Sequence, residues 1–269
     1  SNQTTQSASA TVAGTAGANL VGSLFWTNGL TGDSGAFDLT GRWNIEIPLN
    51  VGANLITVYG YEAGNIETTA MDSAANYATW SQGDNQGTGF GTWSFVEVAN
   101  FSGNFLATDN DTCNLTKPAF GMWAHSDNTA EVFRPFSNAL AVGDTFSIAI
   151  DNGSIDNGHS SGIGLQTAEG DNLWEFYFVG GDATYTMNGG GTDIGWTDGG
   201  LTIEFTLTSA TTYSAVITPL GGSARTYSGS FSGAIARFHA WHYSATGGED
   251  HNFYFNDLKI TSASLGTKK

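Results

Sequence analysis

Apolar and polar residues alternate with a period of two along much of this chain, and turn-forming residues interrupt the alternation at short intervals. Residues i, i+2 and i+4 of a strand share one face, so each such run predicts a strand with one side turned inward. Trp43-Asn44-Ile45-Glu46-Ile47-Pro48-Leu49 alternates and then turns through Asn50-Val51-Gly52-Ala53-Asn54. Leu55-Ile56-Thr57-Val58-Tyr59-Gly60-Tyr61 follows as the next strand and closes on Ala63-Gly64-Asn65. Farther on, Gly87-Thr88-Gly89-Phe90-Gly91-Thr92-Trp93 leads through glycines into a strand. Further strands are predicted at 120–125, 131–136, 145–151, 162–167, 173–179, 202–208, 213–219, 225–231, 235–243 and 252–261. Leu173-Trp174-Glu175-Phe176-Tyr177-Phe178-Val179 is apolar on both sides, which suits a central strand. No helical periodicity persists beyond two turns, so the chain reads as all-β.

Two units are expected after a polar lead at 1–9, one at 10–71 and a larger one at 72–265. The pattern W-x-I-x-I-P-L-x-x-G-x-N-x-I-T-V from Trp43, with Gly64-Asn65 after it, resembles the small immunoglobulin-like modules of secreted bacterial surface proteins and glycanases. Such modules are spacers or adhesive sandwiches, and the likeness carries no catalytic residue. Here Ile66-Glu67-Thr68-Thr69-Ala70-Met71 is short and weakly β where a full last strand is expected. The strand is either short with its edge covered locally, or it leaves an edge that another strand fills.

The closing run Asn252-Phe253-Tyr254-Phe255-Asn256-Asp257-Leu258-Lys259-Ile260 is similar to the F-Y-x-D/N-D-L-x-I ending of many carbohydrate-binding jelly rolls. The second unit thus resembles an antiparallel jelly-roll β-sandwich of the concanavalin and laminin-G class. In several such families an aspartate at the position of Asp257 helps hold a structural Ca²⁺. Asp72 and Asp84, with Asn76 and Asn85, lie at the opposite end of the unit, where first and last strands usually meet, and would complete an oxygen cage. Asp109-Asn110-Asp111 begins like an EF-hand loop, but Cys113 and Asn114 stand where an acid and a glycine are needed. It is read, like 151–157, as a turn.

Charge narrows the partners. With 25 Asp plus Glu against 8 Lys plus Arg, the net charge is −17, which repels nucleic acids and anionic membranes. No apolar run approaches a membrane span, and the lone Cys113 excludes an intrachain disulfide. The small polar lead from Ser1 to Ala8 reads as the start of a processed protein or an excised piece. An extracellular or cell-surface bacterial location is inferred from composition.

Candidate chemistry concentrates in Arg237-Phe238-His239-Ala240-Trp241-His242-Tyr243. In a strand Arg237, His239, Trp241 and Tyr243 share one face. Flat rings with polar tips beside directed donors suit a sugar-binding surface. Glu175 and Tyr177 would join this row, and Trp123 and His125, with Glu131 or Arg134, would extend it. The alternative is that Trp241 and Tyr243 cover a core end, Arg237 is solvated, and Glu175 pairs with Arg134 or Arg237. Glu131 and Glu175 are the only carboxylate pair to nominate for glycosidase chemistry. Lyase chemistry would use Tyr177, His239 and Arg237. The E-x-D-x-x-E, G-x-S-x-G, H-E-x-x-H and P-loop signatures are absent.

The leading expectation is a non-catalytic extracellular polysaccharide-binding or adhesion protein. The second is a subunit of a self-assembling filament or surface layer, joined by strand addition through the N-terminal segment, residues 4–12. A polysaccharide-degrading enzyme is third.

Overall fold

A computed structural model describes residues 6–17, 20–38, 41–108 and 111–269, apart from the side chains of 21–23, 38, 63 and 263–268. Its described elements are antiparallel strands with two short 3₁₀ turns, at Ala74–Asn76 and Glu249–His251. The chain divides into two compact units, 1–67 with 263–269, and 68–262. The division falls four residues before the expected one, and the last residues group with the first unit.

The first unit is built from β1 (Ser9–Thr15), β2 (Leu20–Asn28), β3 (Ser34–Asp38), β4 (Arg42–Pro48) and the first part of β5 (Ile56–Asp72). β1 pairs with β4, and β2 lies between β3 and β5. Leu24 and Ile47 are buried, and Phe25 meets Tyr59 and Tyr61 at centroid distances of 5.6 and 5.8 Å. β5 does not close at Ala63-Gly64-Asn65 but runs unbroken to Asp72. Its β-branched Ile66, Thr68 and Thr69 favour extension, and a neighbouring strand is present to receive its hydrogen bonds. That strand is β19 (Phe253–Lys268), and Gly60 and Lys269 exchange N–H···O bonds of 3.1 and 3.0 Å.

The second unit packs two sheets face to face. Its strands are β6 (Ser94–Val96), β7 (Ser102–Ala107), β8 (Ala119–Ala124), β9 (Asn128–Pro135), β10 (Asp144–Asn152), β11 (Ser160–Gln166) and β12 (Asn172–Val179). After them come β13 (Thr184–Met187), β14 (Gly190–Gly195), β15 (Leu201–Leu207), β16 (Thr212–Pro219), β17 (Arg225–Ser230) and β18 (Arg237–Ser244). The front sheet has the order β14-β13-β12-β11-β18-β9-β6. The back sheet runs β17-β16-β15-β10-β19, and β8, carrying β7, adds to β19 through Phe253–Phe255. Phe146, Ile148, Ile203, Phe205 and Phe255 from the back face Ile163, Trp174, Phe176 and Phe238 from the front, all essentially buried. Each such side chain contributes about 1.5–3 kcal/mol on burial.

At the edge of this core Arg134 is fully buried. Its Nη2 pairs with Asp72 Oδ2 at 3.1 Å and donates to the Gln86 carbonyl at 2.7 Å. Its guanidinium lies 4.8 Å from the Trp93 ring centre. Tyr77 donates to Asp72 Oδ2 at 2.7 Å and receives a hydrogen bond from Trp93 Nε1 at 3.0 Å.

Candidate ligand-binding face

The outward face of the front sheet is set by strand alternation. β12 sends Trp174, Phe176 and Phe178 inward, so Glu175 and Tyr177 stand outward and half-buried. β18 sends Phe238, Ala240 and His242 inward, leaving Arg237, His239, Trp241 and Tyr243 outside. β9 adds Glu131 and Phe133. Between β12 and β18 lies β11, whose outward residues opposite these rows are Gly162, Gly164 and Gln166.

Those glycines determine the surface. A Cβ on Gly162 would lie 2.3 Å from Tyr177 Cβ, so only glycine lets Tyr177 lean across the strand. The Tyr177 and Trp241 rings then meet above it, with centroids 5.6 Å apart. Aromatic contacts continue along β18: His239 stacks on Trp241 at 5.3 Å and on Phe133 at 4.6 Å. Tyr243 meets His159 at 4.3 Å, and Arg237 lies 4.5 Å over Phe133.

A hydrogen-bond network underlies the rings. His239 Nε2 is 3.1 Å from Glu131 Oε1, and its Nδ1 is 3.1 Å from Gln166 Nε2. Gln166 Oε1 accepts from Arg237 Nε at 2.8 Å and Nη2 at 2.6 Å, and Gln166 Nε2 donates to Asn172 Oδ1 at 2.6 Å. Asn172 Nδ2 donates to Glu175 Oε1 at 2.7 Å, and Trp241 Nε1 to Ser160 Oγ at 3.2 Å. The bond to His239 holds the Glu131 carboxyl below its usual range. Burial pushes the Glu175 carboxyl up, opposed by His239, and raises Tyr177, with Glu175 adding to the effect.

Glu131, Glu175, Tyr177, Arg237, His239, Trp241 and Tyr243 thus share one face. Trp123 and His125 do not join them. They stack on each other at 5.9 Å at the end of β8, with His125 just beyond it; β8 pairs within the back sheet, where Trp123 covers Gly103. Arg134 shares the inward side of β9 with Ala130 and Val132, because a three-residue step from Glu131 reverses the face. Glu175 pairs with neither Arg134 nor Arg237 among the described residues. Phe133, Gln166, Ser160 and the two glycines were missed. The alternation of 131–136 and 162–167 already puts Phe133 with Glu131, and Gln166 with the glycines.

The three carboxylates expected to hold calcium do not form a cage. Asp72 is bound to Arg134 and Tyr77 through Oδ2 and to Ser73 and Asn76 through Oδ1, so a guanidinium occupies the cation's place. Asp84 caps the Ser81 N–H at 2.8 Å. Asp257 sits at a bulge of β19 with φ 57° and is exposed, while Asn256 reaches inward to Ala74 N at 2.9 Å. No group of three His, Cys, Asp or Glu suited to a metal occurs among the described residues. Asp109 and Asn110 lie outside them. Asp151, at the end of β10, and Asp156 accept from the backbone N–H of the sequence-distant Asn114 and Thr246, at 2.7 Å each. No described helix is long and apolar enough to cross a membrane.

No protein family model matches the chain, and no curated protein matches it. Solved structures are similar at low identity. A protein of unknown function from Shewanella oneidensis MR-1 is 12% identical, with 76% of this chain and 90% of that one covered and a TM-score of 0.44. A structure described under endo-acting O-glycanases of the human gut microbiota that initiate mucin breakdown is 12% identical, covering 74% and 100%, TM-score 0.42. The alginate lyase from Corynebacterium sp. is 10% identical, covering 59% and 83%, TM-score 0.40. Likenesses this distant carry no argument about site or reaction.

Proposed function

We propose that the outward face of the front sheet binds a polysaccharide and that the protein acts as an extracellular binding or adhesion protein. The observation that carries this reading is the half-exposed Tyr177–Trp241 ring pair over Gly162, bordered by Glu131, Glu175 and Gln166. Rings take the apolar C–H face of a pyranose, while carboxylates and the Tyr177 hydroxyl exchange hydrogen bonds with sugar hydroxyls. Trp241→Ala and Glu175→Ala should each weaken glycan binding at least tenfold, about 1.4 kcal/mol, with far- and near-ultraviolet circular dichroism unchanged. Full retention of binding by both variants would remove this face from consideration.

A hydrolytic reading is favoured by one observation. Glu131 and Glu175 flank His239 and are pushed in opposite directions, the division expected of a base and an acid. Release of new reducing ends, lost in Glu175→Gln while binding persists, would establish it. Assembly by strand addition is less well supported, since Ser9–Thr15 pairs with β4 of its own chain and β5 is flanked by β19. Residues 4 and 5 of the proposed joining segment lie outside the described residues.

A further inference from the structure

Resting on the glycan-binding reading, we infer that this face selects neutral linear glycans and rejects uronate-rich or sulfated ones. Its charged groups are few and can be followed one by one. Arg237 is the one fixed cation among the outward residues of β9, β11, β12 and β18. Both its Nε and its Nη2 are held by Gln166 Oε1, and its flat side rests on Phe133. The loop at Gly170 closes over it, for a Cβ there would lie 2.7 Å from Nη2. Glu131 offsets its charge from the same surface. The side-on edge with which arginine grips a carboxylate or sulfate bidentately is thereby occupied by an amide of the protein.

What remains to meet a ligand is acceptor-rich. Glu175 engages Asn172 through one oxygen and has no cationic partner among the described residues, and Tyr177 feels both Glu175 and Asp182. These groups sit in a chain of net charge −17. An anionic glycan would bring its charges against the Glu175 carboxylate in a partly desolvated setting, where repulsion is least screened. Sugar hydroxyls, by contrast, donate to those oxygens and to nothing better.

Linearity follows from the spacing of the rings. Aromatic groups occur at three successive levels along β18: Tyr243 with His159, Trp241 with Tyr177, and His239 with Phe133. Levels two residues apart in a strand are about 7 Å apart, and Arg237 to Tyr243 spans about 20 Å. A chain of several pyranoses lying along the strand meets Tyr243, the Trp241–Tyr177 pair and Phe133 in turn, with His239 buried behind them, whereas a single sugar meets one level.

The test is affinity electrophoresis of the full chain at low ionic strength in matched gels. Hydroxyethylcellulose is set against carboxymethylcellulose, and methyl-esterified against de-esterified homogalacturonan. Mannan, xylan and mixed-linkage glucan serve as further neutral probes, and dextran sulfate as a further anionic one. The expected result is retardation by at least one neutral glycan and by no anionic one, abolished in Trp241→Ala and weakened at least fivefold in Glu175→Gln. Titration with oligosaccharides of the retarding glycan should then show affinity rising at least tenfold from monosaccharide to hexasaccharide. Retardation by an anionic member that Trp241→Ala abolishes would overturn the charge selection while leaving the binding face standing. A monosaccharide bound as tightly as the hexasaccharide would overturn linearity alone. No retardation by any glycan, or retardation indifferent to Trp241→Ala, would remove the selection and the glycan-binding reading together.

Discussion

Two side chains on strands flanking a third can touch only if the residue between them yields space, and Gly162 yields it to Tyr177. One strand face away, His242 has the opposite environment. It is fully buried, its Nδ1 lies 2.6 Å from Ser161 Oγ, and its Nε2 has no partner among the described residues. Burial depresses its pKa to about 3, with His251 adding to the depression and Asp156 opposing it. The unfolded chain takes up this proton near the ordinary value of about 6.5. The neutral imidazole therefore contributes stability that is fully present above about pH 6.5 and is lost as pH falls toward 3. Urea midpoints measured at pH 7 and pH 4.5 should fall less in His242→Gln than in the parent chain. An equal fall in both would show that other groups carry the acid sensitivity.

Among the elements, β9 does two jobs with alternate residues: Glu131 and Phe133 line the outer face, while Arg134 anchors the segment 72–86 through Asp72 and the Gln86 carbonyl. Arg134→Ala would leave Asp72 buried without its partner and should cost about 3–5 kcal/mol, read as a lowered denaturant midpoint. Such parity was legible in the sequence, as were the strands that make the face, because their alternation is strong over seven or eight residues. β13 and β14 were not, and of β6 only its glycine-rich lead at 87–93 was read. Ser94–Val96 is too short to show a period, and Gly190–Gly195 has glycines where β-branched residues would announce a strand. Asn188 and Gly189, with φ of 48° and 77°, make the tight turn that joins β13 to β14. The neighbours of a strand are a long-range property. For that reason Trp123 and His125, expected to extend the row of Arg237, His239 and Trp241, lie instead by the back sheet. Likewise, Asp257, expected among calcium ligands, sits at a bulge that only pairing with β10 creates.

At the scale of the whole molecule, the first unit is discontinuous in sequence. The chain leaves it after Glu67 and supplies its remaining residues from 263 onward. Leu24 and Ile47 are its buried apolar side chains among the described residues, a small core for a free-standing sandwich. A fragment of residues 68–262 should fold and keep its glycan binding. A fragment of residues 1–67 should stay unfolded by circular dichroism until a peptide of 263–269 is added. Cooperative unfolding of 1–67 alone would contradict this. The arrangement also reverses the order in which the protein can be completed as it is made. Residues 1–67 are translated before 68–262 yet wait for residues 263–269 to arrive, so an exposed β5 must be kept from wrong partners in the interval. A chain cut short before residue 263 would lose the unit made before the rest.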